Sequence, residues 1–203
     1  MKIVALGDSL TVGETGFSYT TSQGRVASYP ECLEHFAMEY LRNHSEAKLE
    51  VVNKGVNGDL TSGMLERFAS DVVAEKPDYV IILGGANDIG WGFDVTTITH
   101  NLASAYDAAR SEGISAVACA VPSILGCDDL IPPRLELNKA INNEALERRI
   151  PFLDFFRATA DQRNNRLMEE YSADGLHLNA KGYERIGRYV FDEWLRPVLE
   201  CKK

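Results

Sequence analysis

The chain begins with the residues MKIVALGDS (1–9), in which a short apolar run leads directly into a glycine and two polar residues. A run of aliphatic residues without polar interruption is typical of a strand buried on both faces of a parallel sheet. It is too short for the apolar region of a secretory signal, so we interpret it as the first strand. Asp8 and Ser9 would then lie in the loop at its carboxyl end.

Four further apolar runs repeat this pattern, at Leu49–Val52, Tyr79–Leu83, Ile114–Val121 and Pro151–Phe155. Apolar residues at helical spacing predict five helices, at Tyr29–Asn43, Ser62–Glu75, Val95–Glu112, Pro133–Arg149 and Ala180–Leu199, the last with Asn179 as its N-cap. This alternation predicts one α/β domain over residues 1–203, a doubly wound sandwich with helices on both faces of a five-stranded parallel sheet.

Composition narrows the class of partner. Thirty acidic residues outnumber 21 Lys and Arg, which gives a net charge of −9 at pH 7. Phosphate binding needs clustered Lys and Arg, so we expect no nucleic-acid partner. No stretch is long enough to cross a bilayer, so no membrane insertion is expected. The four cysteines lack metal-ligand spacing and no export signal precedes them, which predicts reduced thiols and a cytoplasmic location, with Cys32 and Cys119 in the core.

Four short motifs follow the predicted strands in order. They are GDSLT from Gly7, NKGVNGD from Asn53, GAND from Gly85 and DGLH from Asp174. Ligands of open parallel sheets bind beyond the carboxyl ends of the strands, so we expect these loops to meet at one edge of the sheet.

The residues that would meet there suit acyl transfer. A serine hydroxyl such as that of Ser9 needs an adjacent base, and Asp174 could orient His177 for that role. Gly58 permits close approach of a backbone N–H, and Asn87 offers two side-chain N–H donors. Taken alone, each motif can be explained as a turn or a helix cap, and only the ordered combination indicates chemistry. Four polar neighbours are interpreted as loop hydrogen-bonding groups: Asp8, Asn53, Asn57 and Asp88.

The four motifs resemble those of the SGNH (GDSL-type) hydrolase family, from residue 7 to residue 177. The resemblance implies a flavodoxin-like three-layer α/β/α sandwich and a serine hydrolase that cleaves carboxylic esters or thioesters through an acyl-enzyme, without cofactor or metal. It implies Ser9 as nucleophile, His177 as base and Asp174 as its orienter. It also implies an oxyanion hole formed by the Ser9 N–H, the Gly58 N–H and the Asn87 side chain.

Two alternatives remain open at this point: a flavodoxin-like nucleotide- or flavin-binding module, which would share the fold, and a catalytically inactive family member. No phosphate-binding glycine motif follows the first strand, and the absence of G-x-S-x-G excludes the α/β-hydrolase nucleophile elbow. Four carboxylates could in principle meet as a metal site, although their spacing does not require it: Asp8, Asp59, Asp88 and Asp174.

Substrate contacts are predicted from the apolar residues that follow Asn87, namely Ile89, Trp91 and Phe93. Ile124, Leu125, Leu130 and Ile131, which follow the fourth strand, could complete an apolar acyl pocket. The alternative is that all of these residues cap the core. The chain has no lid-sized insertion and no basic amphipathic helix, so we expect small-molecule esters with short to medium acyl chains as substrates. The sequence carries no signal for a particular oligomeric state.

Overall fold

The fold is built on one sheet of five parallel strands, and the computed structural model describes residues 1–13, 28–44 and 48–201. The strands are β1 (Lys2–Gly7), β2 (Glu50–Gly55), β3 (Tyr79–Leu83), β4 (Ser115–Cys119) and β5 (Phe152–Leu153). Their spatial order is β2-β1-β3-β4-β5, and every neighbouring pair is parallel. This is the flavodoxin-like order, which confirms the predicted fold class.

Helices follow the strands along the described chain: α1 (Ser9–Val12), α2 (Tyr29–His44), α3 (Thr61–Glu66), α4 (Phe68–Asp71), α5 (Ala86–Gly90), α6 (Val95–Ser111), α7 (Ile131–Arg148), α8 (Phe155–Thr159), α9 (Ala180–Val190) and α10 (Arg196–Cys201). Helix α2 packs on α9, while α6 packs on α3 and α7. The apolar side chains of β1 and β3 lie between these helical layers, where Ile3 and Val80 are fully buried. Burial on both faces explains why these strands read as continuous apolar runs.

The helix predicted over Ser62–Glu75 is wrong as a single element. The chain forms α3 and α4 and then a 3₁₀ turn at Val73–Glu75, with a junction at Arg67, whose φ of −90° and ψ of 4° are not helical. The apolar spacing continues across this junction, so the periodicity could not reveal it.

The fifth strand is also shorter than predicted. Asp154 ends it because its carboxylate accepts a hydrogen bond from the Arg157 N–H at 2.9 Å and caps α8, which begins at Phe155. At the last predicted helix, Asn179 is the N-cap, since its Oδ1 accepts the Gly182 N–H at 3.0 Å. That helix continues from α9 through a π-helical turn at Phe191–Leu195 into α10.

The cysteines and the membrane prediction can also be compared with the structure. Cys119 is buried in the core, and Cys32 is half-buried and packs against the core. All four cysteines are free thiols. Among the described residues, no helix combines the length and the apolar character needed to cross a bilayer.

Candidate active site

Ser9 begins α1 immediately after β1, at the carboxyl edge of the sheet. Asp8 is the N-cap of this short helix, because its Oδ1 accepts the Leu10 N–H at 2.9 Å. The Asn53 side chain, on β2, donates to the Thr11 carbonyl at 2.8 Å. The turn that carries Ser9 is therefore tied both to its own strand and to the neighbouring strand.

His177 reaches Ser9 from a loop 168 residues further along the chain. Its Nε2 lies 3.0 Å from the Ser9 Oγ, and its Nδ1 lies 2.7 Å from the Asp174 Oδ2. The other carboxylate oxygen of Asp174 accepts the backbone N–H groups of Leu176 and His177, at 3.0 and 2.7 Å. The structure thus brings the three predicted residues together in the order hydroxyl, imidazole, carboxylate.

The electrostatics favour an ionised Asp174. Partial burial works to raise the pKa of this carboxyl. The hydrogen bonds from the His177 ring and from the backbone N–H groups of His177 and Leu176 outweigh burial and hold the pKa below its usual value. An ionised carboxylate beside Nδ1 fixes the tautomer that leaves Nε2 free to accept a proton, and it stabilises the imidazolium.

The loop that presents His177 is closed by its own hydrogen bonds. The Ser172 hydroxyl accepts the Gly175 N–H at 2.8 Å, and the Leu125 N–H donates to the Gly175 carbonyl at 2.8 Å. Gly175 has a φ of +96°, and a Cβ there would lie 2.6 Å from the Leu125 carbonyl oxygen. A glycine is required because the two loops pack backbone against backbone.

The predicted oxyanion donors lie in the loops after β2 and β3. The Asn87 Nδ2 donates to the Asp59 carbonyl at 2.9 Å, which uses one of its two N–H groups and ties it to the residue that follows Gly58. Gly58 has a φ of +74° and is exposed. Within the described ranges, the N–H groups of Gly58 and Ser9 have no hydrogen-bond acceptor. The backbone amides of Ser9 and Gly58 and the side chain of Asn87 thus each retain an N–H that can bind a ligand oxygen.

Buried polar contacts hold these loops against each other. The Val56 N–H donates to the Gly7 carbonyl at 2.9 Å and joins the ends of β1 and β2. Asp88, 3% exposed, accepts the Thr61 hydroxyl at 2.6 Å and the Thr61 N–H at 3.1 Å, which ties α5 to the start of α3. As predicted, Asp8, Asn53 and Asp88 are loop hydrogen-bonding groups, whereas Asn57 is exposed and bonds to no described residue.

Two buried ionisable side chains, those of Asp8 and Arg134, were not predicted from the sequence. Asp8 is fully buried, and burial raises the pKa of its carboxyl to about 7 although the Leu10 N–H and the charge of Arg134 oppose the rise. Arg134 is 1% exposed and donates to the Pro122 carbonyl at 3.0 Å; burial lowers the pKa of its guanidinium to about 10. A lone arginine on an amphipathic helix gives no sign of this burial.

The predicted substrate residues fall into two groups. Trp91 is 78% exposed and Phe93 48% exposed, whereas Ile89 is 5% exposed and belongs to the main core. The Trp91 N–H donates to the Asn87 carbonyl at 2.9 Å, so Trp91 lies one helical turn beyond Asn87 on the same face. In the loop after β4, Ile124 and Ile131 are buried, while Leu125 and Leu130 are partly buried.

The four carboxylates considered for a metal site each have a protein partner. Asp8 caps α1, Asp59 pairs with Arg67, Asp88 binds Thr61 and Asp174 binds His177. In the part of the chain that the structure describes, no group of three or more His, Cys, Asp and Glu side chains is arranged to hold a metal ion.

Comparison with known proteins yields esterases. An arylesterase of Vibrio mimicus is 25% identical over 208 residues, which cover 97% of this chain and 90% of the relative. Esterase TesA of Pseudomonas aeruginosa is 32% identical over 111 residues, 55% of this chain and 49% of the relative. The alignments at 30% identity or more thus cover less than half of the relatives' own length.

Structural comparison agrees. The lipase/acylhydrolase from Enterococcus faecalis superimposes with a TM-score of 0.72 at 27% identity, over 95% of this chain and 94% of that one. The sequence profile of the GDSL-like lipase/acylhydrolase family matches residues 5–185. These matches favour an ester hydrolase over a nucleotide- or flavin-binding module, and the chain belongs to the GDSL-like lipase/acylhydrolase family.

Proposed function

We propose that this protein hydrolyses carboxylic esters or thioesters through an acyl-enzyme formed on Ser9. Its family and the esterases among its relatives support the reaction class. One observation carries the assignment of residues: an unbroken chain of hydrogen-bonding contacts runs from the Asp174 carboxylate through the His177 ring to the Ser9 hydroxyl, at 2.7 and 3.0 Å. A serine so placed has the adjacent base that its weak nucleophilicity requires.

In the first half-reaction, the Ser9 Oγ attacks the carbonyl carbon of the ester while its proton passes to the His177 Nε2. The carbonyl oxygen becomes an oxyanion, which accepts hydrogen bonds from the N–H groups of Ser9 and Gly58 and from the Asn87 side chain. These donors strengthen their bonds as the charge develops, so they lower the barrier rather than simply binding substrate. Collapse of the tetrahedral intermediate breaks the bond to the leaving group, which takes the proton from His177.

In the second half-reaction, water takes the place of the alcohol. His177 accepts a proton from water, the resulting hydroxide attacks the acyl carbon, and a second tetrahedral intermediate forms in the same oxyanion hole. Its collapse releases the carboxylic acid and returns the proton to the Ser9 Oγ. Asp174 stays ionised throughout and compensates the positive charge on the imidazolium in both halves.

For the substrate, we propose esters of short to medium acyl chain that contact Trp91. A helical side chain covers the surface over the turn that precedes it, and Trp91 lies one turn after Asn87. We therefore expect the exposed indole to lie on the side of Asn87, where it would offer an apolar surface to a substrate. Phe93, also exposed, extends this surface.

We also propose a cytoplasmic location and no nucleic-acid partner. The four free thiols support a reducing compartment, since disulfides persist mainly in oxidising ones. The net charge of −9 supports the second statement, because association with phosphate backbones requires clustered positive charge.

The experiment is active-site labelling with a fluorophosphonate probe, followed by peptide mass spectrometry and by kinetics on chromogenic esters of graded acyl length. We expect one labelled residue, Ser9, and loss of both label and turnover in Ser9→Ala. Exposed Ser62, in the first turn of α3, provides the matched control: Ser62→Ala should keep both.

The same experiment separates the alternatives. A binding module or an inactive family member would take no label and turn over no ester. Turnover in a folded Ser9→Ala protein equal to that of the wild type would refute the assignment of the nucleophile.

A further inference from the structure

Arg67 stands at the junction between α3 and α4, and its guanidinium turns inward to the ends of two strands. The side chain is only 17% exposed. Its Nη2 donates to the Gly7 carbonyl at 2.9 Å and its Nη1 to the Lys54 carbonyl at 2.9 Å. Its Nε donates to the Asp59 carboxylate at 2.7 Å, and Nη1 also reaches Asp71 at 2.7 Å. One planar fork thus satisfies four acceptors from four separate residues.

Three of these acceptors lie beside the proposed oxyanion donors. Gly7 precedes Asp8 and Ser9 at the end of β1. Lys54 lies at the end of β2, before the loop that carries Gly58. Asp59 follows Gly58 directly, and its carbonyl accepts the Asn87 amide at 2.9 Å. The guanidinium therefore bonds the chain two residues before Ser9 and four residues before Gly58. It also bonds Asp59, which follows Gly58 directly and accepts the Asn87 amide.

We infer that Arg67 is a positioning residue for the oxyanion hole. This inference rests on the function proposed above and identifies what fixes the Ser9 N–H, the Gly58 N–H and the Asn87 amide relative to one another. A preorganised hole is effective because its donors need no rearrangement when the charge develops. Errors of a fraction of an ångström in such a constellation are costly.

The role is geometric rather than a positive charge offered to the substrate. Two carboxylates pair with Arg67, those of Asp59 and Asp71, so its charge is compensated where it stands. The two carbonyls are reached because the guanidinium is planar and carries five donors in a fixed arrangement. A lysine ammonium is a single point charge with three donors and cannot span the same acceptors.

The test compares Arg67→Gln with Arg148→Gln. Arg148 is the matched control because its side chain is 19% exposed and it also bonds two carboxylates, Asp107 and Glu144, on α6 and α7. We expect Arg67→Gln to lower kcat for a chromogenic ester by about 10- to 100-fold with KM changed less than about threefold, the pattern of a lost transition-state interaction. Arg148→Gln should keep kcat within about twofold of the wild-type value, even if both variants lose the same amount in melting temperature.

A double-mutant cycle gives a readout that general destabilisation would not move. If Arg67 acts through Asn87 and its neighbours, adding Arg67→Gln to Asn87→Ala should cost far less than it costs in the wild type. Should Arg67→Gln fail to fold, Arg67→Lys keeps the positive charge without the fork and should show the same fall in kcat.

Three results would overturn the inference: kcat within twofold of wild type, a fall equal to that of Arg148→Gln, or full additivity with Asn87→Ala. Failure of the proposed function looks different, because Ser9→Ala would then retain turnover, or the wild-type protein would hydrolyse no ester at all.

Discussion

The buried carboxyl of Asp8 predicts an unusual dependence of stability on pH. Asp8 is fully buried, and its Oδ2 has no hydrogen-bond partner among the described residues. Burial raises its pKa from 3.8 to about 7. Because the pKa of Asp8 is higher in the folded state than in the unfolded state, folding favours the protonated carboxyl. The stability that this proton provides is fully present below pH 3.8 and is lost as the pH rises through about 7.

The magnitude follows from that displacement. Each pH unit corresponds to about 1.4 kcal/mol, so the free energy of unfolding should fall by about 4 kcal/mol in total. About 3 kcal/mol of this loss falls between pH 5 and pH 9, and for a chain of this length it corresponds to roughly 6–12 °C in melting temperature. Asn at position 8 cannot ionise and can still accept the Leu10 N–H through its Oδ1, so Asp8→Asn should lack this loss.

The assay is urea or thermal unfolding of the wild type and of Asp8→Asn at pH 5, 7 and 9. The measured quantity is the change with pH in the stability difference between the two proteins, which cancels the titrating groups that do not interact with Asp8. We expect Asp8→Asn to gain on the wild type by about 3 kcal/mol across this range. Any fixed cost of burying the new amide is the same at each pH and drops out.

Asp94 supplies a control of opposite sign. It is also an N-cap, but it is exposed, and hydrogen bonds from the Thr97 hydroxyl and N–H lower its pKa. Its contribution is therefore present above the unfolded pKa and is lost only as the pH falls, so Asp94→Asn should show a constant difference from pH 5 to pH 9. The reasoning would be refuted if the stability difference between Asp8→Asn and the wild type were also constant from pH 5 to pH 9. It would equally be refuted if Asp8→Asn gained stability over the wild type as the pH falls.

Three further predictions concern catalysis and are measured by steady-state kinetics on proteins of matched melting temperature. His177→Ala should lower kcat by about 10³-fold or more and Asp174→Asn by at least about 10²-fold, since each disrupts the base; an unchanged kcat in Asp174→Asn would make that residue a loop component only. Asn87→Ala should lower kcat by about 10²- to 10³-fold with little change in KM, whereas an effect confined to KM would mark a ground-state contact. Trp91→Ala should flatten the dependence of kcat/KM on acyl length, where each methylene contributes at most ~0.8 kcal/mol in the wild type; an unaltered profile would remove Trp91 from the substrate surface.

The strands of the sheet could be predicted from the sequence because they lie between two helical layers. Burial on both faces requires continuous apolar residues, and the run at the start of the chain and the run Tyr79–Leu83 show them plainly. The edge positions of Ser9 and Asn87 followed from the same pattern, since a polar residue just after a buried strand must lie at its carboxyl end. The placement of Ser9 and Asn87 after β1 and β3 therefore needed no knowledge of side-chain contacts.

The short helices and the contacts of Arg67 could not be predicted, because they produce no recognisable pattern in the sequence. Helices α1 and α5, of four and five residues, are too short to show a helical period. The sequence predicts Arg67 only as a residue of a helix. A periodic pattern shows which face of a helix is apolar, but it does not show that the Arg67 guanidinium bonds the carbonyls of Gly7 and Lys54. Every residue has a carbonyl, so no sequence motif marks the ones that a side chain will bind.

The backbone N–H groups of Ser9 and Gly58, which are unpaired within the described residues, support the oxyanion hole proposed above. Around the site, the carboxylates of Asp59 and Asp88 and the guanidinium of Arg67 all have protein partners. Buried polar groups require such partners, so this pairing is expected. Against that background, the N–H groups of Ser9 and Gly58 find no acceptor in the described ranges. In the proposed mechanism, these N–H groups, held in place by paired neighbours, bind the carbonyl oxygen of the substrate. The same reasoning explains why Arg67 should affect kcat more than KM, because its bonds fix donors whose full interaction is made only with the oxyanion.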